Sequence, residues 1–307
     1  MTVRIALVGI GKIARDQHLP ALASSPAFDL VVGVARHDPP ADLPCWPSLD
    51  ALLDDGPEIA AVSLCTPPVG RHALALRAIE AGLHVMLEKP PGATVCEVEQ
   101  LAAAATAKGV SLFATWHSRE APAVEPARTW LADKQITSVA IRWREDVRRW
   151  HPGQAWIWKP GGLGVFDPGI NALSVITAIL PRPLMLLASD LLYPSNRAAP
   201  IAARLTLRDD LGTPVTADFD WRQQGEQIWE IMVETDAGPL HLSGGGARLQ
   251  LAGETVAEQQ HAEYPGLYRR FAELIDDGRS DVDLAPFKLV ADAFMLGRRH
   301  EVEALND

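Results

Sequence analysis

A carboxylate and a carboxamide stand four residues apart, at Asp167 and Asn171, directly after a glycine-rich turn near the middle of the chain. Side chains at that spacing share one face of a helix. Together they could hold neighbouring hydroxyl groups of a ligand, and the carboxylate could accept a proton. An aspartate before Pro168 and Gly169 is also a common helix cap, so the pair indicates a catalytic site only together with other motifs.

A second motif is the glycine-rich string that follows the first predicted strand. Its pattern is G-x-G-x-x-A: Gly9 permits a tight turn, Gly11 lets the backbone approach a pyrophosphate, and Ala14 replaces the usual third glycine. The phosphates would lie at the helix N-terminus, where unpaired N–H groups and the helix dipole favour anions. The string therefore predicts a dinucleotide site that includes Gly9, Gly11, Lys12, Ile13 and Ala14.

The end of the second predicted strand indicates which dinucleotide is preferred. Arg36 and His37 stand there, where an Asp or Glu would hold the ribose hydroxyls of NAD. Arg36 can pair with a 2′-phosphate and stack on adenine, and His37 can add a donor. NADP is therefore the predicted cofactor, with NAD also accepted. The alternative interpretation is a solvated Arg36, with Asp38 holding the ribose.

A lysine, Lys89, follows the fourth predicted strand in the string Glu88-Lys89-Pro90. Ligands of open α/β sheets bind at the carboxyl ends of the strands, so Lys89 should face the crevice that receives the nicotinamide. The bond between Lys89 and Pro90 is a candidate cis peptide. The other residues that we assign to the cofactor lie at or just after strand ends: Cys65, Thr66, Pro67 and Glu88.

The motifs of the first 117 residues lie on alternating strands and helices. Apolar runs predict the strands, and apolar residues at three- and four-residue spacing predict the helices between them. Such a series predicts a doubly wound parallel sheet of the Rossmann type, in a dinucleotide-binding domain of residues 1–117. The predicted strands are 3–8, 30–35, 60–65, 84–88 and 111–115, and the predicted helices are 13–23, 49–53, 72–81 and 95–107.

The pattern changes from residue 118 onward. A predicted helix is followed by successive strands with short turns between them, which is typical of a mostly antiparallel sheet. We therefore predict an α/β protein whose C-terminal α+β domain, residues 118–307, is built on a large antiparallel sheet and serves substrate binding and dimerisation. The predicted strands are 138–147, 185–193, 201–207, 215–221, 228–235 and 240–243, and the predicted helices are 120–131, 264–277 and 286–305.

Composition limits the partners that the protein can have. The 307 residues carry a formal net charge of -11, which disfavours binding to the phosphates of a nucleic acid. The 3 cysteines, an odd number without metal-ligand spacing, predict neither a disulfide framework nor a metal site. The sequence has neither a signal-peptide pattern nor an apolar run long enough to span a bilayer, so we predict a cytoplasmic protein without a membrane partner.

Three motifs resemble, in order and spacing, the signatures of the glucose-fructose oxidoreductase and inositol dehydrogenase (Gfo/Idh/MocA) family. They are the turn 9–14, the string 88–90 and the segment 161–171. Within that family the chain is similar to the bacterial L-arabinose and D-galactose 1-dehydrogenases over essentially its whole length. The segments that carry this closer resemblance are 9–20, 87–93, 114–118, 145–154, 161–171 and 291–294.

The resemblance implies an aldose 1-dehydrogenase that oxidises the anomeric carbon of L-arabinose, D-galactose or D-fucose to the aldonolactone, with hydride transfer to NADP or NAD. Inositol dehydrogenase-like members have a histidine, usually taken as the base, where this chain has Asn171, so the base must be Asp167 or Lys89. We favour Asp167 because a carboxylate is already deprotonated at neutral pH, and Lys89 and Asn171 would then hold hydroxyls. Further sugar contacts are expected at His117, Glu145, Trp150, His151 and Trp229.

Two other functions stay open at the level of the sequence. A protein of this fold that has lost catalysis and senses NADP would retain Gly9 and Gly11 but need not retain Lys89 and Asp167, so their joint presence favours an enzyme. Alternatively, an oxidoreductase of this kind acts on another polyol or keto sugar. The second sheet needs a cover for its open face, which predicts a homodimer.

Overall fold

The computed structural model describes residues 2–258 and 263–306. The chain forms two compact units, one made of Met1–His117 with Glu263–Asp283 and the other of Ser118–Ala262 with Leu284–Asp307. Within the described residues, no helix is both long enough and apolar enough to cross a membrane.

A six-stranded parallel sheet forms the centre of the first unit, in the order β3-β2-β1-β4-β5-β6. Parallel neighbours bring the carboxyl ends of β1, β2, β4 and β5 to one edge, so the predicted cofactor residues share that edge. The strands are β1 Val3–Val8, β2 Phe28–Val34, β3 Cys45–Trp46, β4 Ala61–Leu64, β5 His84–Leu87 and β6 Leu112–Ala114.

The helices between these strands begin and end where the local sequence predicts. Ser48 and Thr94 accept hydrogen bonds from main-chain N–H groups at two helix starts, and Gly109 ends the second of these helices with a φ of 73°. The predicted helix 13–23 is a π-helical turn, Ala14–His18, that continues into an α-helix. The helices are α1 Leu19–Ala23, α2 Leu49–Asp55, α3 Arg71–Glu80 and α4 Val95–Lys108.

A nine-stranded sheet, mostly antiparallel, forms the second unit, with the order β14-β13-β12-β11-β7-β10-β9-β8-β15. The pairs β7/β10 and β8/β15 are parallel. The predicted fold class, a parallel Rossmann sheet followed by a large mostly antiparallel one, is confirmed. The elements, in chain order, are α5 Val124–Leu131, β7 Ile136–Arg144, α6 Val147–Trp150, α7 Phe166–Ile179, β8 Met185–Pro194, β9 Ala202–Arg208, β10 Pro214–Asp220, β11 Ile228–Thr235, β12 Leu240–Ser243, β13 Arg248–Leu251, β14 Glu254–Glu258, α8 Glu263–Asp276, α9 Ala285–Met295 and β15 Gly297–Val302.

Helix α8 belongs to the first unit, although the sequence analysis assigned residues 263–283 to the second domain. One face of α8 is aromatic and apolar and packs into the core beside β1, β2, β5 and β6, so burial of this face accounts for its place. The ring of Phe271 stacks on Phe28 with centroids 5.6 Å apart. The buried residues of α8 in this core are Tyr264, Leu267, Tyr268, Phe271 and Leu274.

The C-terminal helix predicted at 286–305 is too long. Helix α9 ends at Met295, and Gly297–Val302 forms the edge strand β15, paired in parallel with β8. Gly297 lies against the side chain of Leu191, where a Cβ would come within 2.6 Å of Leu191 Cδ1. The following residues are charged and exposed, which suits a sheet edge better than a buried helix face. The short strands β3, β13 and β14 were not predicted from the sequence.

Candidate functional site

The glycine turn after β1 is built against the segment that follows β4. Gly9 has a φ of 87°, and a Cβ there would lie 2.6 Å from Thr66 Cγ2 and 2.9 Å from the Thr66 main-chain nitrogen. Both the conformation and the close contact require glycine. A Cβ on Gly11 would meet nothing within 4 Å, so the backbone of Gly11 borders open space at the start of the helix.

These surroundings fit a dinucleotide. The hydroxyl of Thr66 is buried and makes no hydrogen bond within the described part of the chain, so it can serve a ligand group. The open space at Gly11 lets phosphates approach the helix N-terminus. The turn residues, with Thr66 and its neighbours Cys65 and Pro67, would hold the cofactor, and the bound nicotinamide would supply the hydride acceptor.

Two basic residues follow the end of β2. Arg36 and His37 are exposed, as expected for groups that meet a ligand. Asp38, the alternative ribose-binding residue, has a φ of 47°, and its carboxylate accepts a hydrogen bond from Arg15 at 2.8 Å. Sequence reasoning missed Arg15, which lies four residues after Gly11 in the π-helical turn. Lys12, which directly follows Gly11, pairs with Asp16.

The main chain of Lys89 joins a hydrogen-bond network at the end of β5. The Lys89–Pro90 peptide bond is cis. The main-chain N–H of Lys89 donates to Glu88 Oε2 at 2.7 Å. Glu88 is buried, and its Oε1 accepts a hydrogen bond of 2.6 Å from the Tyr264 hydroxyl of α8. Glu88 therefore fixes the chain beside Lys89.

A buried histidine, His18, shares this carboxylate. Its Nε2 lies 3.2 Å from Glu88 Oε1, and its Nδ1 lies 2.7 Å from the hydroxyl of Tyr268. Burial favours the neutral form of each group, but in both cases the neighbours outweigh it. Cys65, Tyr268 and Glu88 raise the pKa of His18 well above its ordinary value. His18, His117 and the Tyr264 hydroxyl hold the pKa of Glu88 far below its ordinary value.

The His18–Glu88 pair should make folding stability depend on pH. Glu88 has a depressed pKa, so its contribution is present above the unfolded value of ~4.3 and is lost as the pH falls toward the folded pKa. His18 has a raised pKa, so its contribution is full below ~6.5 and is lost as the pH rises through the folded value. Both contributions to folding stability therefore have their full size between about pH 4.3 and 6.5.

Thermal unfolding of the wild type, Glu88→Gln and His18→Gln across pH measures these contributions. The Tm difference between the wild type and Glu88→Gln should shrink as the solution is acidified below about pH 4. The Tm difference between the wild type and His18→Gln should shrink as the pH rises above about 6.5. Differences that stay constant over the whole range would contradict the charged pair.

In the second unit, Asp167 lies in the first turn of α7 and is buried. Its main-chain N–H donates to the carbonyl of Gly164 at 2.8 Å. Gly164 has a φ of 54°, and a Cβ there would lie 2.4 Å from the Pro200 carbonyl, so the turn before Asp167 requires glycine. Asn171 follows one helical turn later on α7 and is half-buried, so the predicted shared face is confirmed.

A second buried carboxylate, Glu145, lies close to the same place. Its two oxygens accept hydrogen bonds from the indole N–H groups of Trp221 at 3.2 Å and of Trp229 at 3.0 Å. The Nε2 of His151 lies 3.7 Å from Glu145 Oε1 and 3.6 Å from Asp167 Oδ2. His151 therefore stands between two buried carboxylates.

Two indole rings border this group. The ring centroids of Trp150 and Trp229 lie 5.5 Å apart. Trp150 is 38% exposed, so part of its face is open to a ligand. The Trp150 N–H donates to Gln227 Oε1 at 3.3 Å. The guanidinium carbon of Arg149 lies over the Trp150 ring, 5.0 Å from its centroid. Indole faces of this kind stack on the C–H faces of sugars.

The structure thus brings together Asp167, Glu145, His151, Trp150 and Trp229, with Asn171 on the same helix as Asp167. His117 and Lys89 belong to the first unit, where His117 Nδ1 lies 2.5 Å from Glu263 Oε2.

Sequence reasoning missed several polar groups of both units. No local motif marks them, because most of their partners are far away in the chain. The only signal is a polar residue within an apolar pattern, as at His18. The missed residues are Arg15, His18, Arg71, Trp221, Gln227, Tyr264 and Tyr268.

Comparison with known proteins gives a consistent result. Residues 3–115 match an oxidoreductase family model, Gfo/Idh/MocA, described as having an NAD-binding Rossmann fold. A galactose 1-dehydrogenase of Pseudomonas fluorescens is 46% identical over 319 residues, which cover 99% of this chain and 99% of that relative.

Solved structures extend the likeness. The crystal structure of a D-galactose 1-dehydrogenase from Rhizobium etli matches with a TM-score of 0.96 and 55% identity, covering 99% of this chain and 98% of that chain. A 3-ketoreductase variant from Actinomadura kijaniata, in complex with NADP and TDP-benzene, matches with a TM-score of 0.85 but 19% identity, covering 98% of this chain and 100% of that chain. At that identity the likeness concerns the fold.

Proposed function

The chain belongs to the Gfo/Idh/MocA family of oxidoreductases, and on this premise we propose that it is an aldose 1-dehydrogenase with NADP as its preferred electron acceptor. The proposed substrates are D-galactose, L-arabinose and D-fucose, which have the same arrangement of ring hydroxyls. The observation that carries the proposal is the group of Asp167, His151 and Glu145 beside two indole rings. The galactose 1-dehydrogenases among the relatives support this assignment.

Asp167 is the proposed general base. It accepts the proton of the anomeric hydroxyl while the hydrogen on the same carbon leaves as a hydride, so the aldose loses two electrons and becomes the lactone. After the transfer, the ring nitrogen Nε2 of His151, 3.6 Å from the Asp167 carboxylate, takes up the proton from Asp167. Lys89 and Asn171 hold hydroxyls of the sugar, and the charge of Lys89 offsets developing alkoxide character.

The preference for NADP rests on the charges at the end of β2. The carboxylate of Asp38 is engaged by Arg15, which weakens its candidacy as the ribose-binding acid of an NAD enzyme. Arg36 and His37 are exposed beside it, and a guanidinium bound to the 2′-phosphate makes a charge-assisted contact that NAD lacks. The homodimer and the cytoplasmic location stay predictions.

Replacing Arg36 by alanine should raise the KM for NADP about tenfold to a hundredfold and leave the KM for NAD nearly unchanged. The reason is that only NADP carries the phosphate that Arg36 contacts. Steady-state kinetics with both cofactors, at low and moderate salt, measure the effect, because salt screens a phosphate contact. Arg77→Ala, an exposed arginine on α3, serves as the control. Equal increases in the KM for NADP and for NAD would show that Arg36 does not bind the 2′-phosphate.

A panel of aldoses tested with NADP and NAD examines the proposed activity itself. We expect reduction of the cofactor with D-galactose, L-arabinose and D-fucose, and formation of the lactone as the first product. Aldoses that differ in ring stereochemistry should be poorer substrates. Turnover with a polyol or keto sugar alone would overturn the assignment, and cofactor binding without turnover of any sugar would favour a regulatory protein.

A further inference from the structure

An arginine of the first unit, Arg71, is 2% exposed and points into the chain segments that follow β4 and β5. It is the first residue of α3. Its Nε donates to the carbonyl of Thr66 at 3.0 Å, and its Nη2 donates to the same oxygen. Its Nη1 donates to the carbonyls of Glu88 and Pro90. One guanidinium thus holds three main-chain carbonyls.

The charge of this arginine is retained despite its burial. Burial lowers the pKa of Arg71 to about 10, while the nearby Glu88 carboxylate acts in the opposite direction. The side chain is therefore charged at neutral pH, and its donors are occupied by carbonyl oxygens. A planar fork suits this task, because it reaches oxygens in several directions at once, which the single ammonium of a lysine cannot do in the same geometry.

The two carbonyls that Nη1 holds lie on either side of Lys89. The N–H of Lys89 is fixed as well, by Glu88 Oε2 at 2.7 Å. The third carbonyl belongs to Thr66, whose side chain and backbone pack on Gly9 of the cofactor turn. Arg71 therefore connects the main chain around Lys89 with the segment that borders the glycine turn.

We propose that Arg71 is a positioning residue for Lys89: it fixes the main chain on both sides of Lys89, so that the amine meets the sugar in one orientation. This inference rests on the proposed function, in which Lys89 binds a hydroxyl of the substrate. Positioning matters because a displacement of about 1 Å costs up to a hundredfold in rate.

The alternative is an arginine that stabilises the fold and nothing else. A double-mutant cycle separates the two roles. Arg71→Met should lower kcat, and the single-turnover rate of hydride transfer with it, about tenfold to a hundredfold, with a smaller change in the KM for the sugar. In a Lys89→Met background, where no amine is left to position, the same change should alter the single-turnover rate of hydride transfer less than about threefold.

Arg77→Met is the matched control, since Arg77 lies on the same helix, is 43% exposed in its side chain and pairs with Asp50 at 2.8 Å. It should leave kcat unchanged in both backgrounds. Should Arg71→Met fail to fold, the cycle is run with Arg71→Lys, which retains the charge but cannot span the three carbonyls.

The outcomes separate this inference from the proposed function. Equal losses from the Arg71 change with and without Lys89 would overturn the positioning role and leave the role of Lys89 intact. Full turnover of an aldose by Lys89→Met would contradict the role of Lys89, and the positioning role with it, whereas the proposed function fails only if the wild type turns over no aldose. A strong effect of Arg71 that disappears without Lys89 would support both.

Discussion

Asp167→Ala should lower kcat by about a hundredfold to ten-thousandfold, because loss of a general base removes that much rate. The dinucleotide should still bind, since Asp167 lies in the second unit and the glycine turn lies in the first. Steady-state kinetics with D-galactose, together with cofactor binding followed by fluorescence, measure the two properties separately.

Asp167→Asn is the matched variant, because it retains the size of the side chain and removes the capacity to take a proton. It should lose as much rate as the alanine variant. Glu145→Gln retains one side-chain oxygen that can accept a hydrogen bond from an indole N–H. It should therefore raise the KM for the sugar more than it lowers kcat. Near-full turnover of Asp167→Asn on galactose, arabinose and fucose would exclude Asp167 as the base.

Gly9→Ala should reduce dinucleotide affinity at least tenfold and also destabilise the protein. A side chain at a φ of 87° is strained by about 1–2 kcal/mol. In addition, the new Cβ would lie 2.9 Å from the main-chain nitrogen of Thr66, so the backbone must move. Thermal unfolding and cofactor titration of the same preparation test both effects.

Gly11→Ala separates strain from ligand contact, because its Cβ would meet no protein atom within 4 Å. We expect a Tm close to that of the wild type but an affinity for NADP lowered about tenfold or more, since the methyl group enters the space that the pyrophosphate needs. A Gly11→Ala protein with unchanged cofactor affinity would show that the phosphates lie elsewhere.

The sequence allowed prediction of the features that depend on neighbours in the chain. The glycine turn, the strand ends that carry Arg36 and Lys89, and the spacing of Asp167 and Asn171 all follow from local patterns. The alternation of elements also predicted the type of both sheets, one parallel and one mostly antiparallel, because apolar periodicity reports which face of an element is buried.

Other features depend on contacts between distant segments and leave little trace in any short stretch. Arg71 binds carbonyls up to 19 residues away, and His18 meets Tyr268 at a separation of 250 residues. The strand β15 forms because the edge of β8 offers main-chain hydrogen bonds, although its own residues read as part of a helix. Tertiary pairing outweighed local pattern in these cases.

The return of α8 to the first unit means that the nucleotide-binding half of this protein is not a portable module. A fragment cut after His117 would retain the glycine turn but lose the aromatic residues that cover Phe28 and Phe113 and the hydroxyl that donates to Glu88. Such a fragment would expose apolar surface and tend to aggregate. Chimaeras between relatives should therefore exchange residues 263–283 together with residues 1–117, because the two segments form one unit although they are far apart in the sequence.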